Sequence, residues 1–453
     1  MQKYIELLDQ TELNILQEMI QNGELKEYQK LYSILEQAKE KIIKLKDYNV
    51  VDVINCLSKE YIEQARQFVD EQKCPGISTG IQNYKGPEIN VYYGKTSGLE
   101  NAKEIDETVR FDSASVTKMY TALQYIYRSY FLQYKHSLDN VKISEINPEF
   151  QQKTTLRELL TFYHIFQTDG KLELVCSNEG EAISLLKNAK IMKSHTFYYS
   201  DIPYMIASLL EPDFKTYFKE IFEKLIGLNQ TGYVVKPDDV ITGGSMNELN
   251  LVHDSKARIL PYAGHAGIYT TSHDSLKLFN WFCEIQDSYF FYSNLATPYF
   301  SNSNHLFSRF VPDGFVPDGT GKMCYQTTIQ EINGEKVIRY EPIWVKKAMG
   351  VYCKHPLGLD KTDVLPYQGK YAFAADGFTG CWCNYDIENQ MSANIFTNPL
   401  SGSEDGKKPQ GYIWMLDGLK EKSIETLIEL KYAQIVFETY YGASKDFQKR
   451  YIK

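Results

Sequence analysis

Residues 110–120 read Arg110-Phe111-Asp112-Ser113-Ala114-Ser115-Val116-Thr117-Lys118-Met119-Tyr120, with Ser115 three positions ahead of Lys118. In a helix that spacing puts both side chains on one face, a turn apart. A lysine held neutral by burial takes the serine proton as Oγ attacks a carbonyl carbon, so the pair is a device for forming an acyl-enzyme. The tetrad needs context, because Ser184-Leu185-Leu186-Lys187 has the same letters inside an ordinary amphipathic helical pattern.

Several elements must hold such a pair in place. Residues 119–130 continue the tetrad as a good helical pattern. Upstream, 76–81 and 89–93 are rich in β-branched and aromatic residues, end at Gly94, and read as strands. Far downstream, 381–385 and 391–397 flank Asp386-Ile387-Glu388-Asn389, a hairpin turn, and 420–441 read as a long closing helix. Residues 1–58 read as helices, with Leu13, Leu16, Met19 and Ile20, then Leu31, Ile34, Leu35, Ala38 and Ile42, at three-and-four spacing around an Asn22-Gly23 stop. Strands near both ends with helices between them predict an α/β fold. Its antiparallel sheet, flanked by helices, is assembled from distant segments, with a mainly helical insertion at about 135–245 and an N-terminal helical extension over 1–58. The extension carries no chemistry and reads as a cap or a self-association surface.

The bulk numbers narrow the function classes. With 453 residues, 43% of them hydrophobic, the chain buries a large core. A formal net charge of -9, with only short basic runs such as 39–46, argues against nucleic acid as a partner. Glu6 and Asp9 interrupt any apolar run at the start, and no 18-residue apolar segment follows, so neither export nor membrane spanning is expected. Eight scattered cysteines fit reduced thiols and a cytoplasmic location. No metal and no cofactor are expected: Cys381-Trp382-Cys383 is too tight for a zinc clasp, and the eight histidines form no H-E-x-x-H cluster.

The segment 111–119 resembles the nucleophile segment of the serine β-lactamase and penicillin-binding-protein superfamily, in the branch of class C β-lactamases and related esterases and D,D-peptidases. Four further segments follow in that branch's order. Residues 154–161 look like its T-I-R-x-L-L-T-H stretch, with Phe162 in the usual His place. Phe197-Tyr198-Tyr199-Ser200-Asp201-Ile202-Pro203-Tyr204 is similar to its second motif, Y-S-N or Y-S-D followed by an aromatic. Val252-His253-Asp254 with 263–271 resembles a stretch common in the branch, and Asp376-Gly377-Phe378-Thr379-Gly380 resembles the end of the third motif. Tyr292-Ser293-Asn294 spells the second motif but sits too late and lacks its flanks; His265-Ala266-Gly267 spells a third motif away from any late strand, so His265 is expected to be structural.

The resemblance covers roughly 60–440 and implies a β-lactamase/transpeptidase-like architecture, with a serine hydrolase domain over 59–453. It implies Ser115 as nucleophile, Lys118 as proton acceptor, and Tyr199 as second base and later acid toward the leaving group. Asp201 takes the usual Asn position, where a carboxylate would keep Lys118 charged and a poorer base. The backbone N–H groups of Ser115 and Phe378 would form the oxyanion site. The third motif departs from the family, since Ala374-Ala375-Asp376-Gly377 stands where a Lys or His precedes Thr/Ser-Gly. A substrate carboxylate facing Asp376 would be repelled, which favours small esters or uncharged amides over β-lactams and D-alanyl peptides. The alternative is a degenerate binding or regulatory member, and a D-alanyl peptidase or β-lactamase ranks third.

Overall fold

A computed structural model describes residues 26–44, 50–130, 138–194, 198–285, 325–332, 335–342, 349–353, 364–365, 367–369 and 372–441. Helices α1 (Lys26–Lys44) and α2 (Val50–Asp70) lead into strands β1 (Gly76–Asn83) and β2 (Ile89–Gly94). Strand β3 (Arg110–Asp112) passes through a short 3-10 turn, Ala114–Val116, into α3 (Thr117–Tyr130). A mainly helical stretch follows, containing α4 (Leu156–Leu160), the β4 (His164–Gln167) and β5 (Lys190–Ser194) pair on either side of α5 (Glu179–Lys187), and α6 (Ile202–Leu209). Next come β6 (Ile241–Thr242), α7 (Ser255–Ile259), β7 (Tyr269–Thr270) and α8 (Ser272–Glu284). The hairpin β8 (Tyr325–Ile332) and β9 (Glu335–Pro342) precedes β10 (Tyr352–Cys353), β11 (Phe373–Gly377), β12 (Cys381–Asp386), β13 (Met391–Thr397) and the closing helix α9 (Tyr412–Tyr441).

The main sheet has the order β10-β11-β12-β13-β1-β2, every pair antiparallel, so the first strand lies beside the last. Alternation along each strand explains why both faces are apolar. Phe373, Ala375, Cys381, Cys383, Tyr385 and Phe396 face one core, which they share with Phe111 of β3, Val116 of the 3-10 turn, and Phe279 and Phe282 of α8. Ala374, Trp382, Ala393 and Ile395 face the other, with Tyr61 and Phe68 of α2 and Tyr412, Leu416 and Leu427 of α9. A sheet buried on both sides must be covered by helices on both sides, which is the layered architecture expected from the sequence.

The expected strands occur at their positions. The closing helix starts at Tyr412 rather than 420; Gly418 within it faces open space and interrupts no packing. Position 58 lies inside the continuous helix α2, whose Tyr61, Ala65 and Phe68 are sheet core. The apolar stripe of α1 is also covered, with Ile34 in that core and Ile42 packed with Val53, Leu57 and Ala433. Ser184, in the decoy tetrad, is exposed on α5, and Lys187 pairs with Glu149 at 2.9 Å. The other decoy, Tyr292-Ser293-Asn294, lies outside the described residues. Among those residues no helix is long and apolar enough to cross a membrane.

Candidate active site

The turn carrying Ser115 is fixed by the buried carboxylate of Asp112 at the end of β3. Its Oδ1 accepts from the Ala114 N–H at 2.9 Å and its Oδ2 from the His253 N–H at 2.8 Å. Ala114 sits at φ +43°, an uncommon conformation for a residue with a Cβ, which turns the chain sharply just before Ser115. Thr117 Oγ1 accepts from the Ile268 N–H at 3.2 Å, tying the start of α3 to the segment that leads into β7. From the other side β11 presses against the turn: a Cβ on Gly377 would lie 2.3 Å from the Ser113 carbonyl oxygen, so only glycine fits. This contact sets the end of β11 against the turn that carries Ser115.

Lys118, on the first turn of α3, is fully buried, and its Nζ donates to Ser115 Oγ at 2.9 Å. It also meets the His265 carbonyl at 3.3 Å and the Asp201 carboxylate at 2.8 Å. Tyr199 lies on the same ammonium, its ring centroid 4.9 Å from Nζ. Phe162 stands against that ring at 5.0 Å between centroids, and its carbonyl accepts from the Tyr198 N–H at 3.0 Å. Tyr204, on α6, donates to the Leu160 carbonyl at 2.7 Å and so fixes the helix that follows Asp201. Ser115, Lys118, Tyr199 and Asp201 are therefore within one hydrogen-bonded cluster.

The electrostatics of the cluster favour charge separation. Burial alone would lower the Lys118 ammonium, but the attraction of Tyr199 and Asp201 and hydrogen bonds to both outweigh it and hold the lysine above its ordinary value. Burial would raise Asp201, yet Lys118, His265 and Lys256 around it hold its carboxyl far below the usual range. Asp254 follows the same pattern, with the His265 hydrogen bond and the charge of Lys256 overcoming burial.

Lys256 and His265 are the residues that sequence reasoning did not place here. Lys256, on α7, puts Nζ 2.7 Å from Asp201 Oδ2 and 3.3 Å from Asp254 Oδ2. His265, buried behind them, has Nε2 3.0 Å from Asp254 Oδ1. Asp254 caps α7 by accepting from the Ala257 N–H at 3.0 Å, so Asp254-Ser255-Lys256 reads in sequence as an ordinary charged helix start. Among the described residues Asp201, Asp254 and His265 are the one group that brings metal-ligating atoms together, within 4.8 Å of one another. The Lys256 ammonium lies against both carboxylates, so the chain supplies its own cation at that point.

At the other edge, Asp376 is partly buried on β11 and Phe378 is 61% exposed. The Phe378 ring stacks on His253, centroids 5.4 Å apart. Lys408, from the loop before α9, reaches within 4.9 Å of the Phe378 centroid and is attracted to Asp376. Burial is the stronger influence and lowers the Lys408 ammonium, with Asp376 opposing it. The edge that in sequence shows only an acidic residue therefore also carries a cation, one that sequence could not assign because the loop closes back on the sheet.

Solved structures with the same arrangement of elements are known. Residues covering 84% of this chain match 98% of a class C β-lactamase with a TM-score of 0.55 at 14% identity. A β-lactamase/D-alanine carboxypeptidase from Pseudomonas syringae matches over 82% of this chain and 98% of its own, with a TM-score of 0.56 at 14% identity. The chain has the serine β-lactamase fold. A class C β-lactamase from Rhodobacter sphaeroides shares that β-lactamase fold at a TM-score of 0.51 and 12% identity, over 84% of this chain and 99% of its own. No family model matches the sequence. An uncharacterized protein of Alkalihalophilus pseudofirmus is 33% identical over 115 residues, which are 25% of this chain and span 33% of that relative.

Proposed function

We propose that the protein is a serine hydrolase that forms an acyl-enzyme on Ser115 and acts on ester or amide substrates, small and acyl-bearing. The observation that carries this reading is the 2.9 Å contact between Ser115 Oγ and the buried Lys118 Nζ. In the proposed cycle the Ser115 Oγ–C bond forms as the Ser115 proton passes into the Lys118 and Tyr199 pair. The carbonyl oxygen takes the negative charge, opposite the N–H groups of Ser115 and Phe378. Collapse breaks the bond to the leaving group, which receives the proton through Tyr199. Water then attacks the acyl carbon by the same route and frees Ser115. Asp201 and Asp376 are supporting residues, and Gly377 allows the approach of β11. The Lys408 cation beside Asp376 softens the repulsion of an anionic substrate, so β-lactams and D-alanyl peptides stay as a lower-ranked class.

A second reading, a binding module without turnover, is favoured by the 2.8 Å ion pair that holds Lys118 protonated. Intact-mass spectrometry after exposure to a fluorophosphonate probe separates the two. An adduct that disappears in Ser115→Ala supports the hydrolase; a folded protein that takes up no probe supports the binding module.

A further inference from the structure

Asp201 is bracketed by two ammonium groups. Its Oδ1 lies 2.8 Å from Lys118 Nζ and its Oδ2 lies 2.7 Å from Lys256 Nζ. Lys256 comes from α7, not from the elements that carry Ser115, Lys118 or Tyr199, and its ammonium goes on to Asp254 at 3.3 Å. Asp254 meets His265 Nε2 at 3.0 Å, and the His265 carbonyl returns to Lys118 Nζ at 3.3 Å. The contacts thus close a ring, Lys118, Asp201, Lys256, Asp254, His265 and back to Lys118. Lys256 is only 23% exposed, so its charge acts there with less solvent screening than at an open surface.

We propose that Lys256 is a positioning residue that divides the Asp201 carboxylate between two ammonium groups and so sets the pH at which Ser115 becomes reactive. The proposal rests on the acyl-enzyme reading above. A carboxylate facing Lys118 alone would hold the Lys118 proton most firmly. A second ammonium on the other oxygen shares that negative charge and adds positive potential to the pocket. Loss of a proton from either Lys118 or Tyr199 removes positive or adds negative charge, and a neighbouring cation favours both. The sign is therefore the same whichever of the two is the base.

The groups facing Lys256 are Asp201 ahead of α6, Asp254 at its own helix cap, His265 in the loop behind, and beyond Asp201 the Lys118 and Tyr199 pair. Asp112 of β3 interacts with Asp254 of the ring and with the neighbouring His253. Arg258, on the same helix, is turned away into a two-pronged pair with Glu248, both contacts at 2.7 Å.

The test is the rate of fluorophosphonate adduct formation, read by intact mass on the full chain from neutral to alkaline pH. The proteins compared are the unaltered chain, Lys256→Met, Lys256→Arg and Asp254→Asn, with a thermal melt of each to confirm folding. The midpoint of the rate profile is expected to move up by about one pH unit in Lys256→Met, to return toward the original in Lys256→Arg, and to move down in Asp254→Asn. A purely structural role would lower rates without moving midpoints in opposite directions. An adduct that forms with an unmoved midpoint in Lys256→Met overturns the role of Lys256 and leaves the hydrolase reading standing. No adduct in the unaltered chain overturns both. Should Lys256→Met not fold, Lys256→Gln and Asp254→Asn decide the sign.

Discussion

Asp201 Oδ1 sits 2.8 Å from Lys118 Nζ, and the lysine it holds is the one in contact with Ser115 Oγ. The pair keeps the resting lysine protonated, so reactivity needs a pH at which the proton is surrendered. Asp201→Asn removes the opposing charge. Adduct formation is expected to reach half its maximum about 1 to 3 pH units lower, and to be faster at neutral pH. A pH series of probe labelling measures this; an unchanged midpoint would show that Asp201 does not control the lysine.

Replacing the lysine tests its role directly. Lys118→Met keeps the length and removes the amine, and labelling of Ser115 is expected to slow by about 10²–10⁴-fold. Asp201 still has Lys256 at 2.7 Å, so the carboxylate does not become an unpaired buried charge. The melting temperature of the variant distinguishes lost chemistry from lost folding.

Tyr199→Phe leaves the ring over the Lys118 ammonium and on Phe162 but removes the phenol. If the phenol shuttles the proton, labelling falls while the melting temperature changes little. An equal labelling rate would assign the shuttle to Lys118 alone.

The packing of β11 on the nucleophile turn predicts a steric result. In Gly377→Ala the new methyl carbon would meet the Ser113 carbonyl oxygen at 2.3 Å, so strand or turn must shift. The expected outcome is loss of labelling and destabilisation of roughly 1–3 kcal/mol, read from a urea titration.

Acid stability follows from the two depressed carboxyls, Asp201 and Asp254. Both ionise in the unfolded chain near 3.8 and well below that when folded, so the unfolded state binds more protons as the pH falls. Their contribution is fully present above about pH 5 and is lost progressively as pH falls through the window from there down to the folded values. Asp254→Asn is expected to show a shallower fall in melting temperature with acid than the unaltered chain; parallel curves would contradict the pairing.

Much of the architecture was legible because periodicity reports burial. The segments 381–385 and 391–397 alternate between two cores, and a continuous apolar strand flanked by turn residues announces itself. The nearness of Ser115 and Lys118 was legible as well, since three residues on a helix fix their separation. Lys256, His265 and Lys408 were not, because their roles depend on where a helix cap and a loop return in space, and Asp254-Ser255-Lys256 carries no mark beyond a good N-cap. The boundary drawn at 58 could not be seen as lying within α2, because a helical pattern that changes partners along its length does not change period.

The pairing of β1 with β13 has a consequence for how the chain is made. During synthesis the first strand leaves the ribosome with no neighbour on its inner edge, and Thr379, which donates to the Asp112 carbonyl, lies 267 residues beyond Asp112. Sequence-distant closure of this kind is slow, and until it happens the apolar faces of α2 and β1 are exposed to other nascent chains and to chaperones. A polypeptide ending before β11 would therefore have no complete sheet and no floor beneath Ser115, and degradation rather than partial activity is its expected fate.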